Sequence, residues 1–190
     1  MNPKEKQNES MTSICFDLET TGIDPRTCEI VELAAVAFNY DCRTRGGPHI
    51  VSEFSSLVKP NFNDPGAVAI HKINDAMLEH ENGIDVVGPR FLEWLDTLPS
   101  GKRVWIGHNI RRFDVPILRR VLGFDKRLRG PLFDTFEVAK TVYPNCKSKK
   151  LTSLYRYLNP KGMTSGAHRA LYDVKMNIVL ACDELRRLNS

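Results

Sequence analysis

Short apolar runs separated by turn-forming residues predict strands along much of the chain. Three such runs lie near the start, at Ile14–Phe16, Glu29–Phe38 and Ile50–Val58. Two more compact runs follow at Arg103–Gly107 and Leu132–Asp134. Because short links join the first three runs, we expect those strands to form an antiparallel meander.

Helical periodicity appears mainly in the second half of the chain. Val86–Leu98 carries apolar residues at helical spacing, and Thr135–Tyr143 and Leu151–Leu158 predict two further helices. Pro116 places the start of another helix near Asp114, because proline fits only the first helical turn. The last helix has the clearest pattern, with apolar residues alternately three and four positions apart: Leu171, Val174, Ile178, Ala181, Leu185 and Leu188.

The order of these elements limits the possible fold classes. Strands come first and helices later, and the last two strands alternate with helices, which indicates an α/β or α+β sheet. Residues 61–83 predict a loop with a short helix that Asn74 caps. The length of 190 residues suits one domain. We expect that domain over residues 12–190, after a disordered polar tail at residues 1–11.

The composition excludes several classes of protein. Hydrophobic residues make up 42% and charged residues 26%, as in ordinary globular proteins. No apolar run approaches the roughly 20 residues of a transmembrane helix, so no membrane partner is expected. The polar N-terminus is not typical of a signal peptide. The cysteines are odd in number and form no Cys-x-x-Cys, which argues against a zinc site and disulfides and favours a reducing intracellular compartment.

The charge is distributed unevenly although the net charge is only +4. Residues 1–100 hold 8 Lys and Arg against 16 Asp and Glu, whereas residues 101–190 hold 19 against 7. This asymmetry suggests a basic surface that meets a polyanion. Charge by itself favours the plainer alternative, a solvated basic face without a partner.

Two carboxylates follow the first predicted strand. Asp17 and Glu19 are two residues apart, so in an extended chain their side chains project from the same face. Like charges placed together at the end of a buried strand are costly unless a cation lies between them. This stretch therefore supports either a divalent-metal site or two carboxylates that point into solvent.

Three other residues are candidates for chemistry. Asp173 lies at the edge of the apolar face of the last helix, and His168 precedes it after the flexible stretch 164–167. A histidine before the helix suits a general base, although a capping or surface histidine is the simpler interpretation. Asp114 is by default the N-cap of its helix, and alternatively a third metal carboxylate.

Taken together, three ordered segments resemble a known family. They are Phe-Asp-Leu-Glu-Thr-Thr-Gly (16–22), His-Asn-Ile-Arg-Arg-Phe-Asp (108–114) and His-Arg-Ala-Leu-Tyr-Asp-Val (168–174). In this order they resemble the three motifs of the DEDDh (DnaQ-like) 3′→5′ exonucleases in the ribonuclease H-like superfamily, over residues 13–188. The segments 104–114 and 168–177 look closest to the plant NEN-type exonucleases. Tyr172 departs from the acidic or small residue of many relatives.

The resemblance implies an α/β ribonuclease H-like fold, with a five-stranded mixed sheet of three antiparallel and then two parallel strands between helices. It implies two Mg²⁺ or Mn²⁺ ions as cofactors. It also implies that His168 is the general base in hydrolysis of terminal phosphodiesters to nucleoside 5′-monophosphates. The metal carboxylates would be Asp17, Glu19, Asp114 and Asp173.

Substrate contacts and partners are also implied by the resemblance. The expected partners are single-stranded or frayed 3′ ends of DNA, RNA or both, in the cytoplasm or nucleus, and relatives include homodimers. For each basic candidate singly, a solvated surface role is about as good an interpretation. The candidates are Leu18, Thr20, Thr21, Gly22, His71, His108, Asn109, Arg111, Arg112, Lys149, Lys150 and Arg169.

Three other functions share this pattern. One is a catalytically silent nucleic-acid-binding module, which the presence of all five site residues argues against. The second is an endonuclease of the same superfamily. The third is a proofreading subunit associated with a polymerase.

Overall fold

The computed structural model describes residues 11–44, 46–123 and 126–190. Within these residues a five-stranded sheet lies between helices. The strands are β1 (Thr12–Thr20), β2 (Ile30–Asn39), β3 (His49–Leu57), β4 (Arg103–Gly107) and β5 (Leu132–Asp134). The helices are α1 (Pro65–His71), α2 (Asp75–Leu78), α3 (Ile84–Thr97), α4 (Asp114–Leu122), α5 (Thr135–Val142), α6 (Leu151–Leu158) and α7 (Ala170–Leu188), with a 3₁₀ turn at Lys126–Leu128.

The sheet has the strand order β3-β2-β1-β4-β5. The first three strands pair antiparallel, and β4 and β5 join them in parallel. The central position of β1 leaves it paired on both edges, so its backbone is fixed along most of its length. The predicted mixed sheet of three antiparallel and two parallel strands is confirmed.

Side-chain alternation on β1 sends successive residues to opposite faces of the sheet. Ile14, Phe16 and Leu18 pack into a core with α3 and α4, to which Phe91 and Ile117 contribute. Cys15 points the other way, into a second core beneath α7. Both faces of the sheet are therefore covered around β1 and β2, which explains why these two strands are buried along most of their length.

Helix α7 covers the second face as its apolar periodicity predicts. Val174, Ile178 and Ala181 are buried against the sheet beside Cys15. The predicted stripe extends one turn too far, because Leu188 is 54% exposed. Among the described residues, no helix is both long and apolar enough to cross a bilayer.

One predicted boundary differs from the structure. Strand β1 runs on to Thr20, so Asp17 and Glu19 lie within the strand instead of beyond its end. Pairing with β2 continues through that segment and keeps it extended. Asn74 caps α2 as predicted, by accepting the Met77 N–H at 3.1 Å. The predicted tail lies outside the described residues apart from Met11.

Candidate active site

The first two carboxylates of the site reach it through the alternation of β1. Asp17 and Glu19 share the strand face of Cys15, whose thiol lies 3.7 Å from the Val174 carbonyl of α7. The same face therefore carries both carboxylates toward the start of that helix. The interpretation that they point into solvent beyond the strand is wrong for the described structure, because both are half-buried.

Asp173, in the first turn of α7, completes a compact acidic cluster. One oxygen each of Asp17, Glu19 and Asp173 lie within 4.8 Å of one another. The Oδ2 atom of Asp173 accepts the His168 N–H at 3.2 Å. Its Oδ1 atom is buried and has no hydrogen-bond partner. Such an unpaired buried oxygen is costly unless a ligand satisfies it.

Asp114 approaches the same region from the opposite edge of β1. It is the first residue of α4 instead of its N-cap, a position that Phe113 occupies. Its Oδ1 accepts the Leu18 N–H at 3.2 Å, so the carboxylate lies beside β1 at the residue between Asp17 and Glu19 in the sequence. The turn that brings Asp114 to β1 packs Ile110 against Gly107, where an added Cβ would lie 1.9 Å from the Ile110 side chain.

Burial raises the pKa of every carboxyl in this group, and nearby carboxylates add to the effect. Burial and the carboxylates of Asp114 and Asp173 raise the pKa of Asp17 well above its usual value. Burial, followed by Asp173 and Glu32, raises the pKa of Glu19 to about 8. Burial also raises the pKa of Asp114 to about 7 and that of Asp173 to about 6. Such clustered carboxylates are stable together only when protons or cations offset their charge.

The donor set fits hard divalent cations. It consists of carboxylate oxygens, which Mg²⁺ and Mn²⁺ prefer to nitrogen and sulfur ligands. The unpartnered Asp173 Oδ1 and the close approach of three acidic oxygens supply the structural support for this fit. Asp114 lies outside the group of three and would join through its second oxygen, since Oδ1 binds the Leu18 N–H.

His168 lies directly before α7 with φ of 66°, in the left-handed region. Its N–H is held by Asp173, while its side chain is exposed at the edge of the cluster. The preceding loop is also held in place. Tyr172 donates its hydroxyl proton to the Met163 carbonyl at 2.6 Å, and its ring leaves no room for a Cβ at Gly166. The departure from the family pattern at Tyr172 thus supports the loop that carries His168.

A groove opens beside Glu19 and contains several predicted substrate contacts. Its lining includes Gly22, Ile23, Ile70, His71 and Phe113. Burial lowers the pKa of His71. The Nδ1 atom of His71 accepts the Ile73 N–H at 3.0 Å, which leaves its proton on Nε2, a buried atom without a partner. The groove therefore offers apolar walls, and the unpartnered Nε2–H of His71 is buried behind them.

The threonines next to the groove are engaged in the backbone turn. The Thr20 hydroxyl donates to the Gly22 carbonyl at 2.8 Å, and the Thr21 hydroxyl accepts the Glu29 N–H at 2.9 Å. Leu18 is buried and contributes its N–H to Asp114. These residues fix the floor of the groove.

His108 connects three elements. Its ring nitrogens lie 3.0 Å from the Thr135 hydroxyl and 2.8 Å from the Lys149 carbonyl. Thr135 also donates to Asn177 of α7 at 2.7 Å. Both nitrogens are thus occupied, and the structure gives His108 a supporting position behind the site. The backbone carbonyl of Lys149 is held in the same network.

The segment between β4 and α4 is held by a buried carboxylate that sequence reasoning missed. Asp134 accepts the N–H groups of Asn109 and Arg111 at 2.9 and 3.1 Å, and Asn109 has φ of 66°. The Arg111 guanidinium donates to the Leu132 carbonyl at 2.6 Å, and that of Arg112 lies 3.8 Å from Glu137. Both arginines and Lys150 are exposed. The sequence did carry a signal for this role, since Asp134 is a charged residue at the end of a predicted strand.

Glu32 is a second buried carboxylate that the sequence analysis did not single out. It is 3% exposed and lies opposite Glu19 in the β1–β2 pairing. Its carboxylate binds Arg169, a predicted substrate contact, at 2.9 Å. The signal was present in the sequence, since Glu32 is a charged residue inside the apolar run Ile30–Phe38.

The sheet order and the flanking helices define a ribonuclease H-like fold. Escherichia coli exonuclease I, in a crystal structure with a dT13 oligonucleotide, matches it with a TM-score of 0.76. The superposition covers 94% of this chain and 42% of exonuclease I at 21% identity, so it bears on the fold alone.

Residues 14–181 match the family RNase_T, described as Exonuclease, and the chain belongs to this family. It is similar to the DNA polymerase III subunit epsilon of Aquifex aeolicus, at 31% identity over 87% of this chain and 76% of that protein. A PolC-type DNA polymerase III of Clostridium perfringens is also 31% identical, over 85% of this chain. The chain spans about a tenth (10%) of the length of that PolC-type relative. The predicted DnaQ-like exonuclease family is therefore confirmed.

Proposed function

We propose that the chain is a metal-dependent 3′→5′ exonuclease that releases nucleoside 5′-monophosphates from single-stranded or frayed 3′ ends. The observation that carries this proposal is the convergence of Asp17, Glu19 and Asp173, with one oxygen of each within 4.8 Å of the others. Membership of the exonuclease family supports it. Acidic residues from distant parts of the sequence rarely meet this closely without a cation to offset their charge.

Four carboxylates would hold two Mg²⁺ or Mn²⁺ ions: Asp17, Glu19, Asp114 and Asp173. Such ions neutralise the acidic cluster and polarise the scissile phosphate. The Leu18 N–H orients Asp114, and the His168 N–H orients Asp173. Both acids are therefore preorganised, which lowers the cost of assembling the site at the moment of reaction.

His168 is the proposed general base. Its imidazole takes a proton from the water that attacks the terminal phosphorus, and the bond from phosphorus to the 3′ oxygen of the preceding nucleotide breaks. Because its backbone N–H is bound to Asp173, the imidazole moves by rotation of the side chain alone. The exposed position of the side chain leaves room for this rotation.

The groove beside Glu19 is the proposed site for the 3′-terminal nucleoside. Ile23 and Ile70 are 92% and 55% exposed, so they offer apolar surface to a base. His71 also lines this groove, and its Nε2–H, which is buried and unpartnered, is the proposed donor for a sugar or base that reaches it. The backbone at Gly22 lines the groove without a side chain in the way. Arg111, Arg112, Lys149 and Lys150 are proposed contacts for the phosphates upstream.

Single-stranded DNA is the first substrate to test, because the exonuclease I neighbour holds a dT13 oligonucleotide. The decisive assay is a time course on 5′-labelled single-stranded DNA and RNA of one sequence, with Mg²⁺ or Mn²⁺. We expect a ladder that shortens from the 3′ end and that EDTA abolishes. A circular single strand that is cut as fast as the linear one would contradict the exonuclease proposal and favour an endonuclease.

A proofreading role is a second candidate, because the relatives described above are DNA polymerase III proteins. It predicts co-purification with a polymerase and faster removal of a mismatched than of a paired 3′ nucleotide. Equal rates on the two ends, with no polymerase bound, would contradict it. The closer likeness to plant NEN-type enzymes, a homodimer and a cytoplasmic or nuclear location stay predictions of the sequence.

A further inference from the structure

Three consecutive residues before the acidic cluster are each held by a carboxylate. The His168 N–H binds Asp173 at 3.2 Å. The Arg169 guanidinium binds both oxygens of Glu32, with Nε at 3.2 Å and Nη2 at 2.9 Å. The Ala170 N–H also binds Glu32, at 2.8 Å. The segment that carries the proposed base is therefore fixed to the sheet at its C-terminal side.

Glu32 is in the right place to act on this segment and on the acidic cluster together. It is the cross-strand partner of Glu19, so the two side chains share one face of the sheet. It is only 3% exposed, and three donors occupy its two oxygens. A buried carboxylate with this many charge-assisted bonds holds its donors in one orientation. Each of its two oxygens already accepts at least one of these bonds.

The first turn of α7 lacks another cap. Arg169 is the N-cap residue, and its side chain makes no capping bond to the helix. Glu32 supplies the missing acceptor to the Ala170 N–H from outside the helix, where negative charge is also favoured by the helix dipole. The direction in which α7 leaves the sheet, and with it the position of Asp173 three residues later, thus depends on Glu32.

We infer that Glu32 and Arg169 form a positioning pair that orients the His168–Asp173 segment, and that Arg169 is not a phosphate contact. The inference rests on the proposed function and deepens it. Partners that orient metal ligands typically contribute about 10- to 100-fold in affinity or activity. Loss of the pair should lower kcat and leave KM nearly unchanged, because substrate contacts lie elsewhere.

Arg169→Gln separates this inference from two alternatives. A phosphate contact predicts a higher KM with kcat unchanged. A purely electrostatic role predicts tighter Mn²⁺ binding, since a positive charge near the cluster is removed. Positioning predicts that kcat falls by roughly 10-fold or more and that Mn²⁺ binds more weakly in a calorimetric titration. Either alternative outcome would overturn the inference.

Glu32→Gln and the double variant test the pair itself. Glutamine keeps the shape of Glu32 and one acceptor oxygen, and Arg169 can then hydrate because 45% of its side chain is exposed. The double variant Glu32→Gln/Arg169→Gln also avoids an unpaired buried charge. We expect it to lose no more activity than the worse single variant. If the loss of activity in the double variant equals the product of the two single losses, the residues act separately, and this would contradict a positioning pair.

Lys175→Gln is the matched control. Lys175 also joins α7 to the sheet, through Glu53 of β3 at 3.2 Å, and the change removes the same charge. We expect its kcat, KM and Mn²⁺ affinity to equal those of the unaltered chain. The unaltered chain is assayed first: absence of cleavage would refute the proposed function, whereas the Mn²⁺ titration would still decide between positioning and charge.

Discussion

At the scale of single residues, carboxyl groups in this molecule differ by whether a donor satisfies them. Asp134 and Glu32 are buried and accept several N–H groups each. Asp173 keeps one buried oxygen unpaired beside Asp17, which matches a role in holding a cation. Glu184 of α7 is fully buried, and both its oxygens lack a partner. An unsatisfied carboxyl group therefore belongs to the acidic cluster, as in Asp173, or lowers the stability of the fold, as in Glu184.

Glu184 makes the stability of the protein depend on pH. Burial, with Asp183 and Asp134, raises its pKa from 4.5 to about 9. The folded state therefore binds more protons than the unfolded state, so stability is full below pH 4.5 and is lost as the pH rises toward 9. At pH 8.5 we expect Glu184→Gln to unfold at a higher temperature than the unaltered chain, with a free energy of unfolding that is larger by on the order of 2 kcal/mol.

Thermal denaturation at pH 5 and pH 8.5 checks this expectation. At pH 5 the difference between the two proteins should be much smaller than at pH 8.5, because the pH has only just passed the pKa of 4.5 that Glu184 has in the unfolded chain. Glu93→Gln on the exposed face of α3 is the control and should show no such difference. An equal effect of Glu184→Gln at both pH values would contradict a buried protonated carboxyl group.

At the scale of elements, much of the structure follows from sequence patterns. The alternation of β1 and the periodicity of α7 were predicted, and they bring Asp17 and Glu19 toward Asp173. The inward-facing Asp114 was harder to predict, because its default role as an N-cap is taken by Phe113 and its bond to Leu18 spans 96 positions. Long-range pairs of this kind leave no local periodic signal.

The supporting carboxylates were missed for a related reason. Glu32 interrupts an apolar run, and Asp134 ends one, but their donors come from segments far along the chain. A charged residue in a buried strand indicates that a partner exists without indicating which one. The groove was only partly predicted, since α1, which supplies Ile70 and His71, was expected as part of a loop with a short helix.

The turn between β4 and α4 provides a test at this scale. Asp134→Ala removes the acceptor of three backbone N–H groups, those of Asn109, Arg111 and Phe136. Because the site is buried, we expect a loss of about 3 kcal/mol in the free energy of unfolding. Denaturant unfolding measures this loss.

Asp64→Ala is the matched control for that test. Asp64 also accepts two backbone N–H groups, those of Gly66 and Ala67, but at the better-solvated start of α1. Its loss should cost about 1 kcal/mol, as for an ordinary helix cap. Equal costs for Asp134→Ala and Asp64→Ala would show that the turn beside Asp114 does not depend on the buried carboxylate.

At the scale of the whole molecule, the acidic cluster couples stability to pH and to divalent cations. The pKa values of Asp173, Asp114 and Glu19 are raised to about 6, 7 and 8. Since raised values mean that the folded state binds more protons, the metal-free protein should lose stability as the pH rises from 5 to 8. A cation that binds only the folded state should restore it.

Thermal denaturation in EDTA and in Mn²⁺ tests this coupling. At pH 8 we expect the unfolding temperature of the unaltered chain to rise with Mn²⁺ concentration. Asp17→Asn removes one of the repelling charges, so it should be more stable than the unaltered chain in EDTA and respond little to Mn²⁺. An equal Mn²⁺ response in both proteins would locate the cation elsewhere in the molecule.

We propose above that the cluster of Asp17, Glu19 and Asp173 carries out hydrolysis from the 3′ end. Release of nucleoside 5′-monophosphate from a 3′-labelled single-stranded DNA tests it directly, in Mn²⁺, for the unaltered chain, Asp17→Asn and Lys175→Gln. We expect release by the unaltered chain and by Lys175→Gln, and at least about a 100-fold slower release by Asp17→Asn. Release by Asp17→Asn at the unaltered rate would contradict the proposal.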